Sequence, residues 1–196
     1  MAAALTAKQY ARARRKVRTR KLNEPPRLTV TEEVFNAASH GVGAALALAG
    51  MILLLVRSGG PLEIMASCFY GISLFFMMLM SCLYHAMPTG SRVKRLWRRF
   101  DYTSIYLLIG GTFAPIFLVY LGNRQGILLF CIQWGVILLG VTLILVFGPG
   151  RFRPLHFTLY FLIWWSGLMF LPDFYRNNRP LLWFILAGGV VYTLGM

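Results

Sequence analysis

Long apolar segments separated by short polar ones dominate this chain. The apolar residues run continuously instead of alternating with polar ones, and a helix crosses a bilayer with roughly 20 such residues. Runs of this length predict transmembrane helices, whereas the strands of a membrane barrel would alternate. The predicted spans are residues 34–56, 62–85, 102–121, 126–147, 155–171 and 181–196.

Composition supports the same interpretation. Hydrophobic residues make up 58% of the chain, charged residues 13%, and the mean hydropathy is +0.63. These values exclude an ordinary soluble domain. We therefore predict an all-α fold, a polytopic transmembrane helical bundle over residues 34–196 preceded by a basic tail over residues 1–33.

The distribution of Lys and Arg predicts the orientation. Nine precede the first span, five lie between the second and third spans and two between the fourth and fifth, against four on the opposite side. The positive-inside rule then places the N-terminus in the cytoplasm, and we expect the membrane to be the cell membrane. The basic tract at residues 11–21 could bind nucleic acid or anionic lipid. Its tether to a membrane helix favours lipid headgroups, at roughly 1 kcal/mol per basic residue, so we expect lipids as partners and no nucleic acid.

Polar residues gather around the second and third spans. Ser81 and His85 are spaced i, i+4 and share one helix face, and Asp101 opens the third span. If these spans are antiparallel helices, the three side chains meet at one depth at the cytoplasmic end. The intervening segment is predicted to be a loop that carries Arg92, Lys94, Arg95, Arg98 and Arg99.

The first span adds a polar face of its own. Glu33, Asn36 and His40 follow an i, i+3, i+7 spacing, so they share a face that we expect to point towards the cluster of Ser81, His85 and Asp101. Ionisable groups within a membrane are costly and usually functional. His156, which follows two arginines, is expected instead to contact lipid headgroups.

Three kinds of chemistry are open to this cluster: a nucleophilic triad, an acid/base site and part of a metal site. The triad is disfavoured, because Ser81 and His85 lie side by side on one helix and no glycine-rich nucleophile turn supplies an oxyanion hole. A catalytic zinc needs about three protein ligands, and His85 offers one good nitrogen. The metal site is therefore incomplete within this sequence.

Three strings carry a family resemblance: EEVFNAASHG at residues 32–41, SCLYHAM at 81–87 and RRFDYTSIYLLIGGTFAP at 98–115. They resemble the hemolysin III branch of the progestin and adipoQ receptor (PAQR) family. The resemblance implies a seven-helix fold with its N-terminus inside and a zinc ion near the cytoplasmic leaflet. It links the chain to receptor signalling, to hydrolysis of lipid amides and to lysis of red cells.

The same resemblance implies residue roles. His85 would be a direct zinc ligand, Asp101 would hold the zinc-bound water and Ser81 would hydrogen-bond nearby, with two further ligands from an HxxxH pair on a seventh helix. No HxxxH occurs here and the sequence stops inside its sixth span, so we expect a fragment with an incomplete zinc site. We predict a zinc-dependent lipid-modifying protein, hydrolase-like towards amides or esters. The alternative is a membrane-perturbing or receptor-like protein without enzymatic activity.

Overall fold

The computed structural model describes residues 7–195, and the regular elements of that range are helices. A π-helical turn, Pro115–Tyr120, prolongs the fourth α-helix, and a 3-10 turn, Ser166–Phe170, connects the sixth to the seventh. The α-helices are α1 (Ala7–Leu22), α2 (Val30–Arg57), α3 (Pro61–Ala86), α4 (Arg92–Ala114), α5 (Arg124–Phe147), α6 (Arg153–Trp165), α7 (Leu171–Asn177) and α8 (Arg179–Gly195). The predicted all-α polytopic bundle is confirmed.

In the described part of the chain, five helical segments are long and apolar enough to cross a membrane: residues 30–57, 61–86, 92–120, 124–147 and 153–177. The sixth predicted span lies in a shorter apolar helix, Arg179–Leu194. Large apolar side chains on α2 such as Val34, Leu46 and Leu53 are exposed. Outward apolar side chains over a helix with internally bonded backbone are what lipid contact requires.

The helix α4 forms the centre of the bundle. Tyr106, Ile109 and Phe113 on this helix are almost fully buried and belong to the main hydrophobic core. Close approach of α3 depends on Gly111, where a Cβ atom would collide with the Ser73 side chain. Small residues at such crossings let membrane helices pack backbone against backbone.

The prediction of a loop before Asp101 is wrong, because α4 already begins at Arg92. Ser91 caps this helix by accepting a hydrogen bond from the backbone N–H of Lys94 at 3.0 Å. Lys and Arg are good helix formers, so a basic segment after such a cap continues as helix. Asp101 therefore lies more than two turns inside α4, on one face with Lys94 and Arg98 through an i, i+4, i+7 spacing.

The predicted basic tail contains a helix of its own, α1, and its residues 1–6 lie outside the described part of the chain. A capping box starts α2, in which the Thr29 side chain accepts from the backbone N–H of Glu32 and the Glu32 side chain accepts from that of Thr29. At one end of the bundle α2 begins, α3 ends and α4 begins, and we call this the basic end. It is the end predicted to be cytoplasmic.

Candidate functional site

The carboxylate of Glu33 joins three helices at the basic end. Its Oε2 atom lies 2.7 Å from Nδ1 of His85 at the end of α3, and its Oε1 atom lies 2.8 Å from Nζ of Lys94 in the first turns of α4. Glu33 is only 9% exposed. A buried carboxylate is tolerated when it is paired and hydrogen-bonded, and here both oxygens have a partner.

Lys94 is the residue that sequence reasoning missed, because it was counted only as a charge that sets topology. Its side chain is fully buried, and Nζ donates to the carbonyl oxygens of Tyr84 at 3.2 Å and Met87 at 3.0 Å. These carbonyls lie at the C-terminal end of α3, where acceptors lack helical partners and the dipole favours a cation. The available signal was the shared spacing of Lys94, Arg98 and Asp101, which the assumed loop concealed.

A second group of contacts surrounds Ser81. Its Oγ atom lies 3.0 Å from Nδ1 of His40 on α2, and the Asp101 carboxyl of α4 lies within electrostatic range of Ser81 and His85. The rings of His40 and His85 are stacked, with centroids 6.0 Å apart. The structure thus brings Ser81, His85 and Asp101 together with Glu33 and His40.

Asn36 is not brought into this group in the same way. It is half-buried, and within the described residues its side chain has no hydrogen bond to the histidines or to Ser81. Its backbone oxygen accepts a hydrogen bond from the Ser39 hydroxyl at 3.1 Å. The polar face of α2 therefore reaches the cluster through its first and last members.

Arg98 supplies a second buried cation beside Asp101. One of its guanidinium nitrogens donates to the backbone oxygen of Glu24 at 3.1 Å, and the guanidinium lies 5.3 Å from the ring centroid of Tyr102. Its charge also acts on the Asp101 carboxyl. The cluster consequently holds one ion pair, between Glu33 and Lys94, and a second buried cation, Arg98, three residues before Asp101 on the same helix.

The contacts distinguish the two histidines chemically. A carboxylate acceptor at Nδ1 of His85 calls for the proton on that nitrogen, and in the neutral imidazole Nε2 then carries the lone pair. Metal-binding histidines are oriented in this manner, as are many general bases. His40 contacts the Ser81 hydroxyl instead of a carboxylate. The carboxylate and the hydroxyl therefore serve different histidines, and the order of a Ser-His-Asp triad is not formed.

A cavity of about 620 Å³ opens beside Glu33 and His85. Glu33 and His85 form part of its wall, and most of the remaining wall is apolar, including Val30, Val34 and Ala37. Val30 and Val34 of this wall are exposed on the outside of the bundle.

The residues around His85 supply only part of a zinc site. His85 has the carboxylate partner that metal-binding histidines commonly have. Within the described residues, however, no group of three or more His, Cys, Asp or Glu side chains is placed to hold a metal ion. These residues fit one ligand of a zinc ion and do not complete a site.

The expectation that His156 contacts headgroups is wrong. His156 is only 2% exposed, and its Nδ1 lies 3.0 Å from the hydroxyl of Tyr106 on α4. Since α6 begins at Arg153, His156 lies in the first turn of α6, on the face towards α4. The two arginines that precede it in the sequence take no part in this contact. Tyr160 packs against Tyr106 at 4.3 Å between centroids and donates to the Tyr102 backbone oxygen.

Comparisons with known proteins agree with the earlier resemblance. Residues 28–196 match the family model described as haemolysin-III related. "Hemolysin-3" of Bacillus cereus is 31% identical over 170 residues, covering 85% of this chain and 77% of that protein. "Hemolysin-3 homolog" of Bacillus subtilis (strain 168) is 28% identical over 171 residues, covering 85% and 79%. No solved structure matches the chain significantly.

Proposed function

Because this chain belongs to the haemolysin-III-related family of integral membrane proteins, we propose that it is a metal-dependent, lipid-modifying protein of the cell membrane. The observation that carries the proposal is the cavity at the basic end, where the Glu33 and His85 pair forms the polar part of a largely apolar wall. A lipid ester or amide has the matching chemistry, with a polar carbonyl beside apolar chains.

The residue roles follow from the contacts. Glu33 accepts a hydrogen bond from the Nδ1–H of His85, which leaves Nε2 of the neutral ring available to a metal or a proton, while Lys94 balances the carboxylate charge. To Asp101 and Ser81, which lie beside His85, we assign the role of orienting a polar group of the substrate. Zinc, when bound, would act as a Lewis acid that activates water at neutral pH. His85 is the one zinc ligand that we propose from this chain.

A membrane-perturbing activity is the second candidate, and the name of the Bacillus cereus relative favours it. A pore would require a polar stripe along a helix. The contacts described above concentrate Glu33, His40, Ser81 and Asp101 at one end of the bundle instead. We therefore place the lipid-modifying function first.

The test measures two activities in one preparation. The chain, extended by a helix that carries HxxxH so that the zinc site can be completed, is purified and reconstituted into vesicles that contain ester- and amide-linked lipids and a trapped dye, with and without added zinc. Release of fatty acid that depends on zinc and is lost in His85→Gln supports a hydrolase. Dye leakage without lipid cleavage, unchanged in His85→Gln, would favour the membrane-perturbing candidate.

Two further variants test the cavity and the carboxylate. Ala37→Leu places a larger side chain in the cavity wall, so it should narrow the cavity and weaken the apparent affinity for substrate. Ala45→Leu, on the exposed side of α2, should leave that affinity unchanged. Glu33→Gln should reduce turnover by about 10- to 100-fold, as losses of partners behind metal ligands do. Glu63→Gln, which changes a carboxylate at the opposite end of the bundle, serves as its control. Equal effects of either matched pair would contradict the placement of the site.

A further inference from the structure

A separate cavity of about 750 Å³ opens at the basic end between α1, the start of α4 and the segment after α5. Arg12, Arg15 and Lys16 approach it from α1. Arg92, Arg95 and Arg99 face it from α4, and Arg151 completes the set. Seven basic side chains from three parts of the chain therefore line one concave surface.

Within the described residues that line this cavity, none is acidic. Arg95 is ion-paired with the carboxylate of Glu24 at 3.2 Å, and Glu24 is itself partly exposed. Arg99 donates to the backbone oxygen of Leu145 at 2.6 Å. Seven basic and no acidic side chains among the described residues line this cavity, and an anion with more than one negative charge would complement such a lining.

Part of the cavity wall is apolar. Leu96 of α4 and Val146 and Phe147 of α5 contribute to it. The guanidinium of Arg151 lies 4.8 Å from the ring centroid of Phe147, so charge and apolar surface adjoin directly. A wall of this kind suits a molecule with a phosphate head and an apolar body, and a free phosphate would leave the apolar part unused.

Hydrogen bonds to the segment after α5 hold the C-terminal end of α1 in place. The side chain of Asn23, directly after α1, donates to the Phe147 backbone oxygen at 3.0 Å and accepts from the Gly150 N–H at 2.9 Å. A Cβ atom at Gly150 would collide with the backbone oxygen of Leu22, and Gly148 has a positive φ of 81°. The loop after α5 is therefore shaped to receive the end of α1, which presents the α1 cations in a defined position.

We propose that this cavity binds the headgroup of an anionic phospholipid carrying two phosphates. The phosphates lie among the cations of α1 and α4, where guanidinium groups offer paired donors, and the glycerol and acyl groups lie against Leu96, Val146 and Phe147. Basic pockets beside membrane helices recognise such headgroups. The site lies apart from the Glu33 and His85 pair and does not depend on the proposed hydrolase activity.

The test uses the purified full chain in a non-ionic detergent and fluorescent cardiolipin as the diphosphate lipid. Phosphatidylglycerol at equal phosphate charge and soluble pyrophosphate are the comparison ligands. R12Q/K16Q should weaken cardiolipin binding by about tenfold or more, from the contribution of basic residues near a lipid surface. R14Q/R18Q removes the same charge from the same helix outside the cavity and should change binding less than about twofold. All four positions are exposed, so folding should be unaffected.

Asn23→Ala separates geometry from charge. It removes the hydrogen bonds of Asn23 to Phe147 and Gly150 and alters no charge, so it should weaken cardiolipin binding several-fold by releasing the end of α1. Equal losses in R12Q/K16Q and R14Q/R18Q would overturn the proposal in favour of diffuse attraction. Pyrophosphate binding as tight as that of cardiolipin would also overturn it, because the apolar wall would then contribute nothing.

Discussion

Replacing Lys94 with methionine tests the central contact of the candidate site. The change removes an ion pair to Glu33 at 2.8 Å and two hydrogen bonds to the end of α3, at 3.0 and 3.2 Å, from a side chain that is fully buried. Breaking a buried pair by removing one partner destabilises by about 3–5 kcal/mol. Glu33 keeps His85 as a partner at 2.7 Å, so we expect a loss near the lower limit, about 3 kcal/mol.

The assay is thermal unfolding of the purified chain in detergent, followed by circular dichroism. For a chain of this length about 3 kcal/mol corresponds to a fall of about 6–12 °C in Tm. Arg92→Met is the matched control, since it removes a cation from an exposed position in the first turn of the same helix. It should shift the free energy of unfolding by less than about 0.5 kcal/mol.

A double-mutant cycle with Glu33→Gln isolates the pair. Because the two side chains are in direct contact, the combined loss should differ from the sum of the single losses by about 1 kcal/mol or more. If Lys94→Met and Arg92→Met lowered Tm equally, or if the cycle were additive, the reasoning that Glu33 and Lys94 form a buried pair would be refuted.

Three other predictions concern the orientation in the membrane, zinc binding and the contact between Tyr106 and His156. In intact cells a cysteine at Ser91 should be shielded from an impermeant reagent while one at Asn177 reacts, and the reverse result would invert the topology. Zinc analysis should find weak or no binding to the 196-residue chain, and binding through His85 in a form extended by a helix with HxxxH. Stoichiometric zinc in the shorter chain would show that the ligands are misassigned, and so would zinc in the longer chain that His85→Ala does not diminish. Tyr106→Phe should destabilise by about 1–3 kcal/mol, because it leaves buried His156 without its hydrogen bond, and an unchanged Tm would contradict that contact.

The periodicity of the chain predicted the fold class because a bilayer accepts few structures. Once apolar runs of spanning length are present, the backbone must satisfy its own hydrogen bonds, so helices follow from length and composition. The i, i+4 spacing of Ser81 and His85 likewise placed both on one face of a helix. Helix starts were harder to predict, as α4 shows, because a capping serine can carry a helix well beyond its apolar part.

Sequence alone thus determined the membrane bundle, its family resemblance and the set of polar residues near its basic end. Only the tertiary structure decided which of them are partners: His85 with Glu33, His40 with Ser81, and Lys94 with Glu33. The physical reason is that spacing fixes the face of one helix, while partners across helices depend on how the helices are rotated and shifted against each other. Burial could not be predicted for Lys94 and His156, which resemble surface residues by sequence. Both lie inside the protein because neighbouring helices supply their hydrogen bonds.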